Sequence, residues 1–287
     1  MTPPIPLSPK ARLDRLLQHI HQHLDEPLPL ERLAQLSACS RWQLQRDFQA
    51  ATGLSLARYI RRLRLSRAAE WLLSGRLRQL DIALGCGFDS EVSFSRAFRQ
   101  EFGATPGQYR KAGIRRGLSA PLLRPDHRQL LQLRIDSRPA CRMMGLSGAC
   151  GGLFANQPDF AERIPQIWQR LLQHCPAAGH NPIGVIETDR LQPGRLRYWA
   201  GTPLTAPAPP AGLEQLEIPA AEYLVVPHRG PPRELAGILR WVLEQWLPGS
   251  GYHSRCASDL EIYGPGSSTR QAEMEYWIPI VASAPKC

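Results

Sequence analysis

One pattern occurs twice in the first hundred residues and restricts the fold more than any other feature. Each copy has a short apolar segment, a longer segment with apolar residues about four apart, and a closing glycine. In the first copy Leu44 and Phe48 follow Ser40 and precede Gly53, and the second copy closes at Gly103. Serine starts helices and glycine ends them. The sequence therefore predicts two pairs of short helices, each pair joined by a tight turn.

A long amphipathic segment, from Ser55 to Leu73, separates the two pairs. Its apolar residues recur at helical spacing, with arginines between them. About 19 residues that each rise about 1.5 Å give a helix almost 30 Å long. Successive major-groove faces of DNA are about 34 Å apart. A spacer of this length is predicted to hold one short helix in each of two neighbouring grooves, so that a monomer suffices.

The charge distribution supports a polyanionic partner. Residues 1–117 contain 19 Lys or Arg and 10 Asp or Glu, a net charge of +9, whereas residues 118–287 carry a net charge of only +1 from 16 basic and 15 acidic residues. Basic side chains release condensed counterions when they neutralise phosphates. A generally basic protein would spread its charge evenly, so the uneven distribution predicts double-stranded DNA as the partner of the first part.

Each longer helix of a pair presents a polar face opposite its apolar one. The alternative for any single polar residue is an ordinary solvated helix surface, but an exposed Trp42 in such a face requires a reason. Arg46 can form a forked hydrogen bond with guanine, and Gln45 can hydrogen-bond adenine. The predicted DNA-facing residues are Arg41, Trp42, Gln45 and Arg46 in the first pair and Ser93, Ser95 and Arg96 in the second.

Other features exclude whole classes of protein. No apolar run reaches the roughly 18 residues of a membrane span, and the N-terminal residues lack the pattern of an export signal. The seven cysteines are irregularly spaced without a CxxC, and the histidines near the start lie on different helix faces. These features predict a cytoplasmic, nucleoid-associated protein with no metal, no cofactor and no membrane partner.

After a linker rich in Gly, Pro and Arg, the pattern changes to strands that alternate with helices. Two stretches of this part resemble each other, each with an extended segment, a helix, a Pro/Gly-rich turn and another strand. The predicted fold class is an all-α double helix-turn-helix domain plus an α+β domain, the latter a duplicated unit with an antiparallel sheet and helices on one face. The predicted boundaries are 8–112 for the first domain, 113–129 for the linker and 130–282 for the second domain.

Residues 8–112 resemble the DNA-binding domain of AraC/XylS regulators. The stretch LDIALGCGFDSEVSFSRAFRQEFGATPGQYRK follows the signature of that family throughout, and SRWQLQRDF is similar to the first recognition helix of its Rob branch. The resemblance implies a bacterial transcription regulator, an activator that recruits RNA polymerase, with Trp42, Gln45 and Arg46 on DNA. Glu91 and Val92 replace neutral polar residues of that branch, so the second half-site is expected to differ.

Residues 130–282 resemble the GyrI-like small-molecule-binding domain, and this order of domains is that of the Rob branch. The resemblance implies a cleft in which aromatic side chains surround a carboxylate. Glu261 lies in an otherwise apolar strand and shares a face with Tyr263 by strand alternation. A lipophilic or cationic effector suits such chemistry. The predicted ligand residues are Glu261, Tyr263, Tyr223, Trp199 and Trp277.

Alternatives to this ligand site remain. The aromatic residues can be ordinary core, with Glu261 paired to an arginine such as Arg229, and core packing is the favoured interpretation of Trp168 and Trp241. The second domain can act as a small-molecule hydrolase with Glu261 and a tyrosine as its acid/base pair, sequester a toxin, or bind no ligand. No Ser-His-Asp set, HExxH, P-loop or GxGxxG was found, so the protein is predicted not to be an enzyme.

Overall fold

The computed structural model describes residues 8–125, 129–188, 194–264 and 272–283. The chain divides into two compact units, residues 1–132 and residues 133–287. The first unit is helical and the second is a sheet with helices, which confirms the predicted fold class.

The first unit contains two helix-turn-helix pairs on either side of a 19-residue spacer helix. The pairs are α2–α3 and α5–α6, and the spacer is α4. The elements of this unit are α1 (Pro9–Gln22), α2 (Leu30–Leu36), α3 (Arg41–Thr52), α4 (Leu56–Ser74), α5 (Gln79–Gly85), α6 (Glu91–Phe102), α7 (Pro106–Ala112) and β1 (Leu118–Leu123).

Side-chain caps and glycines set the ends of these helices. The hydroxyl of Ser40 accepts a hydrogen bond from the Gln43 backbone N–H at 3.2 Å, and Ser90 does the same for Ser93 at 3.2 Å. Gly53 and Gly103 follow α3 and α6 with φ of 73° and 70°, a left-handed conformation that only glycine adopts without strain. The helices α3 and α6 therefore begin and end as the sequence predicts.

Each pair buries one face of its helices. Phe48 of α3 packs with Leu16, Leu33 and Tyr59 in the core of the first pair. In the second pair Phe94 and Phe98 of α6 are fully buried and pack edge to face, with ring centroids 5.5 Å apart. Burial of a large apolar side chain contributes about 1.5–3 kcal/mol, which is enough to fix the orientation of a short helix.

Part of the predicted linker is regular structure. Residues 113–129 were expected to be irregular, but Leu118–Leu123 form β1, which packs along α4. The backbone N–H of Ser119 donates to Ser66 Oγ at 2.8 Å, and the N–H of Leu122 donates to Tyr59 Oη at 2.8 Å. Side-chain oxygens of α4 thus accept hydrogen bonds from the backbone of β1, a strand that the composition of this segment does not predict.

The second unit is a largely antiparallel sheet with helices between its strands. Its strands lie in the order β2-β7-β10-β9-β4-β5-β3-β6, and β8 pairs with β10. The elements are β2 (Leu131–Arg138), β3 (Cys141–Gly151), α8 (Phe160–His174), β4 (Ile183–Thr188), β5 (Arg195–Pro203), β6 (Glu214–Ile218), β7 (Ala221–Gly230), α9 (Pro232–Trp241), β8 (Tyr252–Ser254), β9 (Asp259–Tyr263) and β10 (Ala272–Ala282).

This strand order reads as two equivalent halves. One half is β3-α8-β4-β5 and the other is β7-α9-β9-β10, and they meet where β4 pairs with β9. The outer strands are exchanged between halves, because β2 pairs with β7 and β6 pairs with β3. The topology agrees with the duplication predicted from sequence.

Apolar clusters lie on both faces of the sheet, because consecutive strand residues point in opposite directions. On one face Tyr198 and Ile186 pack with Leu171 of α8. On the other face Trp199 and Val185 pack in a separate cluster. Over the described part of the chain, no helix is long and apolar enough to cross a membrane.

Candidate functional site

The helix α3 exposes the four residues of the first pair that are predicted to face DNA. Leu44 and Phe48 are buried on its inner side. Trp42 has 68% of its surface exposed. Arg41, Gln45 and Arg46 are also exposed. The helix therefore presents guanidinium, amide and indole groups together on one face.

Two neighbours hold the guanidinium group of Arg46. It lies 4.6 Å from the centre of the Trp42 ring, and it donates to Asp47 Oδ1 at 3.1 and 3.2 Å. Arg41 is paired with Glu31 at 2.7 Å. Exposed pairs of this kind are worth about 0–1 kcal/mol, so base or phosphate contacts can replace them.

The helix α6 of the second pair presents a different surface from that of α3. Arg96 is exposed, as is Val92, with 80% of its surface accessible. The hydroxyl of Ser93 donates to the Ser90 backbone carbonyl at 2.9 Å, and Ser95 Oγ accepts from Gln79 of α5 at 3.1 Å. Both predicted serines thus form hydrogen bonds within their own helix pair, and Arg96 and Val92 are the more accessible groups.

Arg64, in the middle of α4, bonds both to the segment before the first helix pair and to the turn of the second pair. Its guanidinium donates to the carbonyls of Leu24 at 2.9 Å and Glu26 at 2.6 Å, before the first pair, and to that of Gly87 at 3.4 Å, in the turn of the second. A Cβ at Gly87 would lie 2.7 Å from this guanidinium. Arg64 therefore links the segment between α1 and α2 to the turn of the second pair.

In the second unit, a buried carboxylate lies among aromatic side chains on the face covered by α8. Glu261 Oε2 accepts a hydrogen bond from Tyr198 at 2.7 Å and another from Tyr263. Trp168 of α8 donates to Tyr198 Oη at 3.0 Å, and its ring meets that of Tyr263 edge to face. We call Glu261, Tyr198, Tyr263 and Trp168 the acidic cluster.

Gly184 makes room for the acidic cluster. It pairs with Glu261 across β4 and β9, and an added Cβ would clash with Tyr198 Oη and lie 2.8 Å from Glu261 Oε2. Only glycine at this position lets the carboxylate of one half reach the tyrosine of the other.

Comparison with known proteins decides the family. Residues 33–112 match the model of a helix-turn-helix domain, and residues 132–281 match that of the GyrI-like small molecule binding domain. The chain is 28% identical over 283 residues to the transcriptional regulator Rob of Salmonella typhimurium, an alignment that covers 92% of this chain and 96% of Rob. It is 39% identical over 104 residues to the regulatory protein SoxS of the same organism, which covers 36% of this chain and 97% of SoxS. The chain belongs to the AraC/XylS family of transcriptional regulators.

Another relative is the right origin-binding protein of Escherichia coli. It is 33% identical over 181 residues, which covers 60% of this chain and 61% of that protein. The matches confirm the predicted family and its Rob-type order of domains. This AraC/XylS protein is a DNA-binding transcriptional regulator whose second unit is a small-molecule-binding domain.

The structure of this regulator does not bring all five predicted ligand residues together. Glu261 and Tyr263 share the acidic cluster, but Trp199, Tyr223 and Trp277 lie in the apolar cluster on the opposite face of the sheet. The reason is the two-residue period of a strand, which sends neighbours to opposite faces. The two indoles form hydrogen bonds there, since Trp199 donates to Glu187 at 2.6 Å and Trp277 donates to Glu275 at 3.1 Å.

Other expectations about the carboxylate are also corrected. Arg229 lies 3.5 Å from Glu273, so the partners of Glu261 are tyrosines rather than that arginine. Trp168 packs against the apolar cluster under α8, as expected, and its indole also joins the acidic cluster. Tyr198 was missed although it adjoins Trp199 in sequence, because sequence alone does not tell which member of the pair faces α8.

A second carboxylate lies beside the cluster in this regulator. Asp259 is two residues before Glu261 on the same strand face, and Tyr276 donates to its Oδ2 at 2.8 Å. Burial raises the pKa of Asp259 to about 7 and also raises the pKa of Glu261. Burial holds the pKa of Tyr198 well above its ordinary value, so this hydroxyl keeps its proton as a hydrogen-bond donor. Among the described residues, no group of three His, Cys, Asp or Glu could hold a metal ion.

Proposed function

We propose that a single chain reads two successive major grooves, with α3 in one and α6 in the next. The observation that carries this proposal is the exposed set Trp42, Gln45 and Arg46 on α3, opposite a buried face. Arg64 of the spacer helix supports it, because it bonds the segment that leads into the first pair and the turn of the second pair. We further propose that the bound regulator recruits RNA polymerase and activates transcription, as the family resemblance implies.

Selection of binding sites from random duplexes tests the first proposal. The expected site has two conserved blocks about one helical turn apart, and footprinting shows both major grooves protected by one chain per duplex. A single conserved block would contradict the role of α6. A requirement for two chains would contradict reading by a monomer. Reconstituted transcription from the selected site then tests activation of RNA polymerase.

We also propose that the acidic cluster binds the effector, a small lipophilic cation. The two hydrogen bonds that Glu261 receives from described residues both reach Oε2, so Oε1 remains for a ligand. Trp168 and Tyr263 are half-buried and border the carboxylate, and aromatic faces attract cations. Among the described residues, tyrosines and no cation bond to Glu261, and a buried carboxylate of this kind favours a ligand that supplies the positive charge.

A matched pair of probes tests the charge requirement. An aryl-substituted quaternary ammonium ion is expected to bind, and its neutral carbon isostere is expected to bind at least about tenfold more weakly, a difference of about 1.4 kcal/mol. Glu261→Gln should abolish this preference while it retains the fold. Glu187→Gln, on the opposite face of the sheet, is the control and should leave it unchanged. Equal effects of the two substitutions would contradict the assignment.

A hydrolase is the second candidate, because Tyr198 donates to Glu261 at 2.7 Å and such a pair can act in acid/base catalysis. Incubation of the protein with reactive electrophiles, followed by mass spectrometry, separates the candidates. Turnover that requires Glu261 favours the hydrolase, whereas saturable binding without turnover favours the effector site.

A further inference from the structure

The first unit contains a cavity behind its first reading helix. The cavity has a volume of about 260 Å³ and lies between α1 and the α2–α3 pair. Its walls include Leu13 and Leu16 of α1 and Leu44, Phe48 and Ala51 of α3. This volume is slightly below the roughly 300–1,000 Å³ of sites for drug-sized ligands, so the cavity suits a smaller molecule with an apolar body.

An unpaired hydroxyl faces this apolar space. Ser37, just after α2, lines the cavity and has only 4% of its surface exposed. Its Oγ has no hydrogen-bond partner among the described residues. A buried polar group without a partner costs about 1–3 kcal/mol. A ligand with a polar group would supply the missing hydrogen bond. The hydroxyl of Ser37 would thus be paired when the cavity is occupied.

The charged residues at the cavity favour an anionic ligand. Lys10, Arg12 and Asp47 line it together with the apolar residues. The carboxylate of Asp47 lies 3.1 Å from the Arg46 guanidinium, which offsets its charge. The guanidinium of Arg12 therefore gives the wall of the cavity a positive charge.

We propose that this cavity binds a small amphiphilic carboxylate. The apolar body packs among the leucines and Phe48, the carboxylate lies near Arg12, and Ser37 hydrogen-bonds the ligand. Because one wall is the inner face of α3 and includes Asp47, the partner of Arg46, the occupied cavity alters DNA binding by the first reading helix. This site is independent of the acidic cluster in the second unit.

Calorimetry and methyl NMR of the full chain test the proposal with octanoate, 1-octanol and octylamine. Octanoate is expected to bind one saturable site and to shift the methyl signals of Leu13, Leu16 and Leu44. Octylamine is expected to perturb these signals at least about tenfold more weakly, a difference of about 1.4 kcal/mol. Any octylamine binding at the acidic cluster is recognised because the Glu261→Gln variant loses it.

Two neighbouring alanines of α3 supply a matched pair of variants. Ala51 lines the cavity and Ala50 does not, and both are exposed helix positions that tolerate leucine. Ala51→Leu should fill the cavity and abolish octanoate binding, whereas Ala50→Leu should leave it unchanged. Ser37→Ala should weaken octanoate by about tenfold without loss of stability, because it removes an unpaired hydroxyl.

Three results would overturn the proposal. One is the absence of saturable octanoate binding, which would mean that the cavity holds only water. Another is octanoate affinity that is equal in the two alanine variants. The third is a preference for octylamine that persists in Glu261→Gln.

Discussion

Asp259 changes its protonation state near neutral pH. Its pKa of about 7 in the fold lies above the 3.8 of a free aspartate, because burial disfavours the charged form. Between these values the folded state binds more protons than the unfolded state. Stability contributed by this group is therefore present at low pH and lost as pH rises through about 7.

We predict that the contribution of Asp259 to the free energy of unfolding falls between pH 5 and pH 8, by on the order of 1–2 kcal/mol. Burial lowers the pKa of His21 to about 4, which gives an opposing slope below about pH 6.5, so the contribution of Asp259 is measured against a variant. Asp259→Asn removes the titrating group while it keeps an acceptor for Tyr276, so the free energy of unfolding of the variant should fall less, or rise more, with pH than that of the unmodified protein. A residual slope remains, because burial also raises the pKa of Glu261. Urea unfolding at several pH values measures both slopes, and identical slopes in the two proteins would refute the assignment.

Arg46 is predicted to read a base rather than to hold a phosphate. Arg46→Ala should cost about 1–3 kcal/mol in specific binding and relax sequence preference in one half-site. Arg46→Lys should recover part of the affinity but not the preference, because lysine lacks the forked geometry. Binding to a panel of single-base operator variants measures this. Uniform weakening over all sequences would show that Arg46 contacts only phosphate.

Sequence alone predicted part of each site at this scale. The exposed face of α3 follows from helical periodicity, and Glu261 with Tyr263 follows from strand alternation. The contributions of Tyr198 and Gly184 depend on how β4, β5 and β9 pair, and such long-range register is not encoded in any local pattern. The engagement of Ser95 by Gln79 is likewise a contact between two helices.

At the scale of elements, the spacer helix α4 both separates α3 from α6 and donates hydrogen bonds through Arg64. Arg64→Met would leave the carbonyls of Leu24, Glu26 and Gly87 without this donor. We predict a loss of about 1.5–3 kcal/mol in stability. Affinity for a two-block operator should fall more than affinity for a single block, because the relative orientation of the pairs is loosened.

Arg61→Met is the control for this variant. Arg61 is exposed on the same helix and bonds Gln100 at 3.2 Å. The thermal unfolding of the Arg61→Met variant should resemble that of the unmodified protein. If both substitutions lower stability equally, Arg64 has no special role in joining the pairs.

We predict that the strand β1 stabilises the DNA-binding unit. A fragment of residues 1–125 keeps the hydrogen bonds to Ser66 and Tyr59, whereas a fragment of residues 1–117 loses them. The longer fragment should melt at least about 5 °C higher. Both should bind DNA with a steep salt dependence, since the positive charge lies within residues 1–117. Equal melting temperatures would show that β1 does not stabilise α4.

Elements with strong local signals were predicted well, and those without were not. Serine caps and closing glycines mark both ends of α3 and α6. The segment before and within β1 contains Gly, Pro and Arg, which are typical of a linker. Its strand conformation depends on backbone donors that meet side chains of α4, more than fifty residues earlier.

At the scale of the whole molecule, charge and duplication carried the prediction of two units. The excess of arginine ends where the helical unit ends, and the repeat in the second part corresponds to the two halves of the sheet. The exchange of β2 and β6 between halves was not predictable, because both strands suit either partner by composition. The proposed function requires one chain that presents two reading helices, α3 and α6, at a fixed separation.

The most direct test of this claim is the affinity of the full chain for its selected operator with base pairs inserted between the two blocks. Insertion of 5 or 10 base pairs should each reduce affinity to that of a single block, on the order of 10–100-fold, because the spacer helix spans about one helical turn. Stoichiometry should remain one chain per duplex. Unchanged affinity after insertion, or two chains on the intact operator, would contradict the account.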